Sequence, residues 1–272
     1  MPHRHFVSGG WGFTVDVPDG YLDSIYPLPT SRSIDLCVHI TYWHSPDRLC
    51  YLARQINALN ELNCNVDIFV HTNIERIPLK SRFTTVHHDM TTEYGHFLSW
   101  KHRPLLESQL EQFDIFIYLE DDILFTQENW LYYLKHHDLV KQHSSYIGFV
   151  RAETDGTEWY PTDIAPSFGP CEPLPRKQLG EHDLWVNTNN FYNGFWLLDN
   201  IEMRKFIRHS SWDLTKCEFF GNFIREKPAI GPIPFFKEVL LNLDHPGCVV
   251  HHMPNNYIGH HVFCCARLDS IK

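Results

Sequence analysis

The sequence predicts an α/β protein built on a mostly parallel central sheet flanked by helices. Three observations predict it. Ile115-Phe116-Ile117-Tyr118-Leu119 is an unbroken apolar run of β-branched and aromatic residues, the pattern of a strand buried on both faces. Near the start of the chain, an apolar run at Ser33–Ile40 leads into a helical repeat and then a second run at Asn65–His71, a strand–helix–strand unit. Beyond the central run, strand and helix patterns continue with no internal repeat and no low-complexity segment.

Composition narrows the class. The chain has 272 residues, 43% of them hydrophobic and 21% charged, which is globular and long enough for a sizeable core. The net charge is −10 with no basic block, which argues against nucleic acid or an anionic membrane as the main partner. No apolar run is long enough to span a bilayer, so no transmembrane segment is expected. The first residues, MPHRHFVSGGWGF, lack the apolar core of a signal peptide, and a cytoplasmic location is expected. The eight cysteines form no CxxC pair, so a cysteine zinc site is not expected and most should be small core residues.

In chain order, residues 1–33 read as an irregular Gly- and Pro-rich arm with Trp11, Phe13 and Tyr21 as anchors. After the first strand, Ser45 and Pro46 open a helix whose Leu49, Leu52, Ala53, Ile56 and Leu59 share one face. A third strand is read at Phe83–His88, and Tyr94–Gln112 as helix interrupted near Pro104. Thr126 caps a helix through Gln142 with Trp130, Leu131 and Leu134 inward, and Tyr146–Val150 is another strand. Residues 151–190, crowded with prolines, read as a long loop. Asp199 and Glu202 have the spacing of a capping box for a helix near 200–209. Further helices are read from Trp212 and over Pro234–Asn242, and a late strand over Cys248–His252.

The central run ends in Glu120, Asp121 and Asp122. Open α/β sheets bind ligands at the carboxyl ends of their strands, and three adjacent carboxylates repel one another unless a cation joins them. Oxygen ligands suit Mg²⁺ or Mn²⁺, and an added imidazole favours Mn²⁺. The competing reading is a solvated acidic turn. The chain has neither GxGxxG nor GxxxxGK[ST], so a dinucleotide fold or a P-loop is not expected.

Four features together resemble the GT-A fold of nucleotide-sugar glycosyltransferases over most of residues 34–261. They are the strand–helix–strand start without a phosphate loop, YLEDDILF as an acidic metal motif, YNGFWLLD ahead of a helix, and a late strand ending in His251-His252. The resemblance implies one domain over 34–272 after the arm, with a nucleotide-sugar-binding half at 34–150 and an acceptor-binding half at 151–272. It implies a sugar moved from a nucleotide-diphosphate donor to a hydroxyl of a carbohydrate acceptor, with Mn²⁺ or Mg²⁺ on the diphosphate. Asp122 is the first choice for a direct metal ligand. Glu120 matches the first acid of the motif, and Asp121 serves either metal or donor. Of the two histidines, alternation sends His251 and His252 to opposite sides, and His252 is preferred, with His260 and His261 in reserve.

The resemblance also places donor contacts at His39, Thr41 and Tyr42 after the first strand, and at Thr72 and Asn73 after the second, with Asp89 a further candidate. Ser99-Trp100-Lys101-His102-Arg103 carries positive charge close to the acidic strand in sequence, so Lys101 and Arg103 read either as diphosphate contacts or as a solvated helix face; the resemblance sets Asn193 and Gly194 at the donor sugar. An inverting transfer needs a general base; Glu218, with Arg225 two turns on, fits, and Asp213 and Glu226 are rivals. Trp159, Tyr160, Trp185, Phe191, Tyr192 and Trp196 flank the acceptor side, as sugar platforms or as core. The alternative from another class is a non-catalytic nucleotide-sugar or carbohydrate-binding protein on the same fold. A two-metal phosphoesterase would want several scattered Asp/His motifs, and a nucleotidyltransferase a basic glycine-rich loop that Gly9-Gly10-Trp11-Gly12 does not supply.

Overall fold

The structure is a computed structural model that describes residues 3–6, 14–17, 33–93, 95–162, 173–187, 194–213, 215, 219–220, 223–224, 236–259 and 267–272. Its first elements are β1 (His3–Phe6), β2 (Thr14–Val17), β3 (Asp35–Tyr42), α1 (Leu49–Asn60), β4 (Asn65–Thr72) and β5 (Thr84–His87). Next come α2 (Arg103–Ser108), β6 (Ile115–Glu120), β7 (Ile123–Leu124), α3 (Gln127–Lys141), β8 (Tyr146–Ile147), β9 (Val150–Thr154) and β10 (Trp159–Pro161). The last are β11 (Arg176–Leu179), β12 (His182–Asn187), β13 (Phe195–Asp199), α4 (Asn200–Arg208), β14 (Phe219–Phe220), β15 (Phe223–Ile224), β16 (Val239–Leu241) and β17 (Val249–His252). The protein is mixed α/β, with several sheets and both parallel and antiparallel pairs. Among the described residues no helix is long and apolar enough to cross a membrane.

The chain divides into two compact units that interleave in sequence. One comprises Pro29–Gln127 and Gly194–Pro232; the other comprises Met1–Leu28, Glu128–Asn193 and Ile233–Lys272.

The first unit holds a five-stranded sheet in the order β13-β6-β3-β4-β5. β3, β4, β5 and β6 run parallel, and β13 closes one edge antiparallel to β6. The apolar runs land here: Leu36, Val38, Ile40, Ile115, Ile117 and Leu119 are all fully buried. α1 carries its expected stripe, with Leu52, Ile56 and Leu59 buried. A 3-10 turn, Pro46–Arg48, precedes it, and the Ser45 side chain makes no cap bond. The capping box forms as read: Asp199 accepts from the Glu202 amide at 2.8 Å, and Glu202 from the Asp199 amide at 3.0 Å.

The second unit holds the sheet β11-β12-β16-β8, the strands β10, β9 and β17, and α3. β11 and β12 are a two-residue hairpin, Leu179 opposite His182, with Gly180 at φ +58° taking the left-handed position that the turn requires.

Several sequence expectations fail in physically instructive ways. The arm contains the β1–β2 hairpin; Trp11, Phe13 and Tyr21 lie outside the described residues. The expected loop 151–190 holds β9 to β12, strands too short for their alternation to stand out between prolines. Pro234–Asn242 holds β16, because a three-residue apolar run has no readable period. The helix read from Trp212 is a 3-10 turn, Ser210–Trp212, followed by the β14–β15 pair, whose Phe-Phe and Phe-Ile favour strand. Tyr146–Val150 is split into β8 and the start of β9. In the 94–112 segment the helical turns break at Lys101–His102, ahead of Pro104, which sits in the first turn of α2 where a missing N–H is harmless. Leu131 is exposed, and Tyr132, Tyr133, His136 and His137 take the inward face of α3 instead.

Candidate functional site: a buried acidic strand end and a histidine relay

The acidic cluster stands at the carboxyl end of β6. Asp121 and Asp122 are buried and Glu120 is half-buried. The counter-charge of Asp121 and Asp122 comes from the chain itself. Arg48, on the 3-10 turn that leads into α1, donates from Nε to Asp121 Oδ2 at 2.9 Å. Its Nη2 reaches Asp121 Oδ1 at 2.5 Å and Asp122 Oδ2 at 2.9 Å. Both carboxylates therefore converge on one cationic nitrogen. Burial pushes the Asp121 carboxyl up to about 7 against the opposing pull of Arg48. The same carboxylates raise Arg48 further above its ordinary value, against its own burial, so the guanidinium is the firmly charged partner.

Gly194–Asp199, the described part of YNGFWLLD, lies against this strand end. β13 pairs residue for residue with β6, Phe195 opposite Leu119 and Asp199 opposite Ile115, and the Glu120 amide donates to the Gly194 carbonyl at 2.8 Å. Gly194 has φ +71°, and a Cβ there would lie 3.1 Å from Glu120 Oε2 and 3.1 Å from Ile123 Cγ1. Glycine meets both demands, the left-handed backbone and the close approach. Asn193, the neighbouring expected donor contact, lies outside the described residues.

The expected nucleoside contacts divide. Tyr42 is fully buried; its hydroxyl meets His44 Nδ1 at 2.9 Å and donates to the Ser45 carbonyl at 3.2 Å. Asn73 is half-buried and its Oδ1 accepts the His44 amide at 2.8 Å, joining the ends of β3 and β4. Thr41 is half-buried beside Glu120 in register, and Thr72 is fully buried. Asp89 caps its own turn through Thr91.

His39 has a different place. It is fully buried, and both ring nitrogens are bonded: Nε2 to Gln109 Oε1 at 3.0 Å and Nδ1 to His71 Nε2 at 2.8 Å. His71 Nδ1 in turn meets His88 Nε2 at 2.8 Å. Desolvation lowers His39 to about 3 and His71 to about 2, so both are neutral at pH 7. A fourth imidazole, His102, stacks on Tyr118 with centroids 4.5 Å apart and donates Nδ1–H to the Ser99 carbonyl. No sequence pattern flagged this array. His39 and His71 each sit inside an apolar strand, and only the register that sets them on one sheet face brings them together.

Lys101 pairs with Glu93 at 2.6 Å. Arg103 is buried, spends Nη1 on the Ser211 and Trp212 carbonyls, and lies 3.7 Å over Trp100 and 4.6 Å over Trp212. It locks the 210–212 turn onto α2, a packing role that a diphosphate contact would disturb. Asp213, the described candidate base, is half-buried and accepts from the Thr215 amide and hydroxyl. Glu218, Arg225 and Glu226 lie outside the described residues, as do Phe191, Tyr192, His260 and His261.

In the second unit, His251 and His252 part as alternation requires. His251 is half-buried, bonded to Asn255 Oδ1 at 2.9 Å and edge-on to Trp159. His252 is buried, and its Nδ1 meets Glu153 Oε1 at 2.6 Å. Glu153 is fully buried and also accepts the amides of Asn256, Tyr257 and Ile258. A carboxylate on one ring nitrogen is how metal-binding imidazoles are oriented; here the same carboxylate also holds the 256–258 turn. Of the expected sugar platforms, Trp185 and Trp196 are buried core residues, while Trp159 and Tyr160 are half-buried on β10.

No family model matches the chain, and no curated protein matches it significantly.

Proposed function

We propose that this protein is a GT-A-type glycosyltransferase that moves a sugar from a nucleotide-diphosphate donor to a hydroxyl of a carbohydrate acceptor. One observation carries the reading. Two segments of the sequence, the acidic YLEDD and the GFWLLD part of YNGFWLLD, are hydrogen-bonded neighbours, with Gly194 against Glu120 at the strand end. A ligand at the carboxyl end of a parallel sheet meets the carboxylates there, and a residue without a side chain leaves room beside them.

The carboxylates fit a cation, because Asp121 and Asp122 already converge on the Nη2 nitrogen of Arg48. Asp122 and Asp121, with Glu120 adjacent, would hold Mn²⁺ or Mg²⁺ in its place. When bound, the ion acts as a Lewis acid on the departing diphosphate. Arg48 has a side chain 36% exposed on a short turn. Released from the carboxylates, its planar guanidinium is suited to bind phosphate oxygens in pairs. Gly194 then leaves the sugar a close approach to Glu120, and Asp213 is the described candidate to accept the acceptor's proton.

The test is a panel of UDP-, GDP- and dTDP-sugars, with and without Mn²⁺, on the native chain and on Asp122→Ala. Metal-dependent donor binding is expected to fall tenfold or more in the variant, as for loss of a charged ligand. Donor binding with no transfer to any carbohydrate acceptor would instead make this a nucleotide-sugar-binding protein. Binding that ignores both the metal and the substitution would remove the cation from the account.

A further inference from the structure

In the first unit, His88, Phe97, Trp100, Lys101 and Trp212 line a cleft of about 720 Å³, a volume suited to a small ligand. His88 is the outer end of the imidazole relay, so one wall of the cleft is wired to the buried sheet face.

The inner end of the relay sets its polarity. Cys37 Sγ lies 3.5 Å from Gln109 Oε1 and 3.3 Å from His39 Nε2. Burial raises the Cys37 thiol well above its ordinary value, so it keeps its proton and is a donor. Sulfur is a poor acceptor, so the Gln109 carbonyl oxygen, not its NH₂, faces this corner and takes both the S–H and the His39 Nε2–H. His39 Nδ1 is then an acceptor and takes Nε2–H from His71. His71 Nδ1 takes Nε2–H from His88. All three rings carry their proton on Nε2, and Nδ1 of His88 is left as a lone pair on the half-buried residue that lines the cleft.

The remaining lining selects against ions. Lys101, Arg103 and Arg208 are equalled in number by Glu93, Glu107 and Asp213; Lys101 is paired with Glu93, Arg103 is spent on backbone carbonyls, and His209 spends Nδ1 on Ser211. Val86, Leu105 and Ile207 add apolar wall. We propose that this cleft binds a small uncharged molecule with an apolar ring and one hydroxyl or ring N–H, which donates to His88 Nδ1. Gln109, His71 and His39 are positioning residues that hold His88 in the accepting tautomer. Asp213 of the lining is also the candidate base named above, but no contact of the ligand with it is invoked, and the proposal does not rest on the transferase reading.

Phenol and anisole are the probes, equal in ring and unequal in donor. On the full chain labelled with ¹⁵N-histidine, His39, His71 and His88 are expected to show the Nε2–H tautomer. Phenol is expected to shift the His88 Nδ1 resonance and to bind at least tenfold tighter than anisole. Gln109→Met should mix the tautomers and bring the phenol-to-anisole ratio towards one. Equal binding of phenol and anisole to the unaltered chain, or mixed tautomers in it, would overturn the proposal without any variant having to fold.

Discussion

The two faces of the five-stranded sheet are made from the same strands and solve different problems. On one face Leu36, Val38, Ile40, Val66, Ile68, Val70, Ile115, Ile117 and Leu119 are buried side chains with no polar atom to satisfy. On the other, Cys37, His39, His71 and Tyr118 are as deeply buried and carry polar atoms, beside the apolar Phe116 and Leu198. The apolar face is held by surface removed from water and tolerates any close-packed equivalent. The imidazole face is held by partners in register, and each lost partner leaves a buried group unpaired. Chemistry that needs directed atoms can be built only on the second kind of surface.

Acid should separate the faces most sharply. His39 and His71 are neutral when folded, near 3 and 2, and ordinary near 6.5 when unfolded. Below pH 6.5 the unfolded chain therefore binds protons that the folded chain refuses. Stability is intact above that pH and falls as pH drops towards 3, by about 1.4 kcal/mol per pH unit for each ring. Two rings contribute roughly 5 kcal/mol by pH 4.5, to be read as the difference between urea melts of the native chain and of the variant with both rings replaced by Leu, in which the groups common to both chains cancel.

Ile117→Ala tests the apolar face. Its side chain is fully buried, between Val38 and Leu197 in register, and its loss should cost about 2–5 kcal/mol, read from the urea midpoint at pH 7.5. A smaller effect is expected on the imidazole face. His71→Leu should cost about 1–3 kcal/mol by stranding His39 and His88, and adding His39→Leu should recover part of that loss. Additive costs in this pair would erase the distinction between the faces, since coupled partners do not add.

The apolar face was the legible one. β3, β4, β6 and α1 follow from uninterrupted runs and one helical stripe, and the Asp199–Glu202 cap from spacing alone. The relay was not legible, because a histidine inside an apolar strand looks the same whether it meets another histidine or not. Arg48 was missed for a similar reason: nothing local ties an arginine on a turn to acids at the end of a neighbouring strand. β9 to β12 and β16 were missed because runs of three to six residues carry too few repeats for period to decide.

The acidic strand end is where the account is most exposed, and binding of Mn²⁺ followed by electron paramagnetic resonance tests it most directly. If Arg48 and the cation compete for the same oxygens of Asp121 and Asp122, the native chain should bind Mn²⁺ with UDP present. Arg48→Ala should bind it about tenfold more tightly without UDP, and Asp122→Ala should bind it in neither condition. Absence of Mn²⁺ binding from the native chain and from Arg48→Ala alike, with or without UDP, would mean that these carboxylates exist for Arg48 alone.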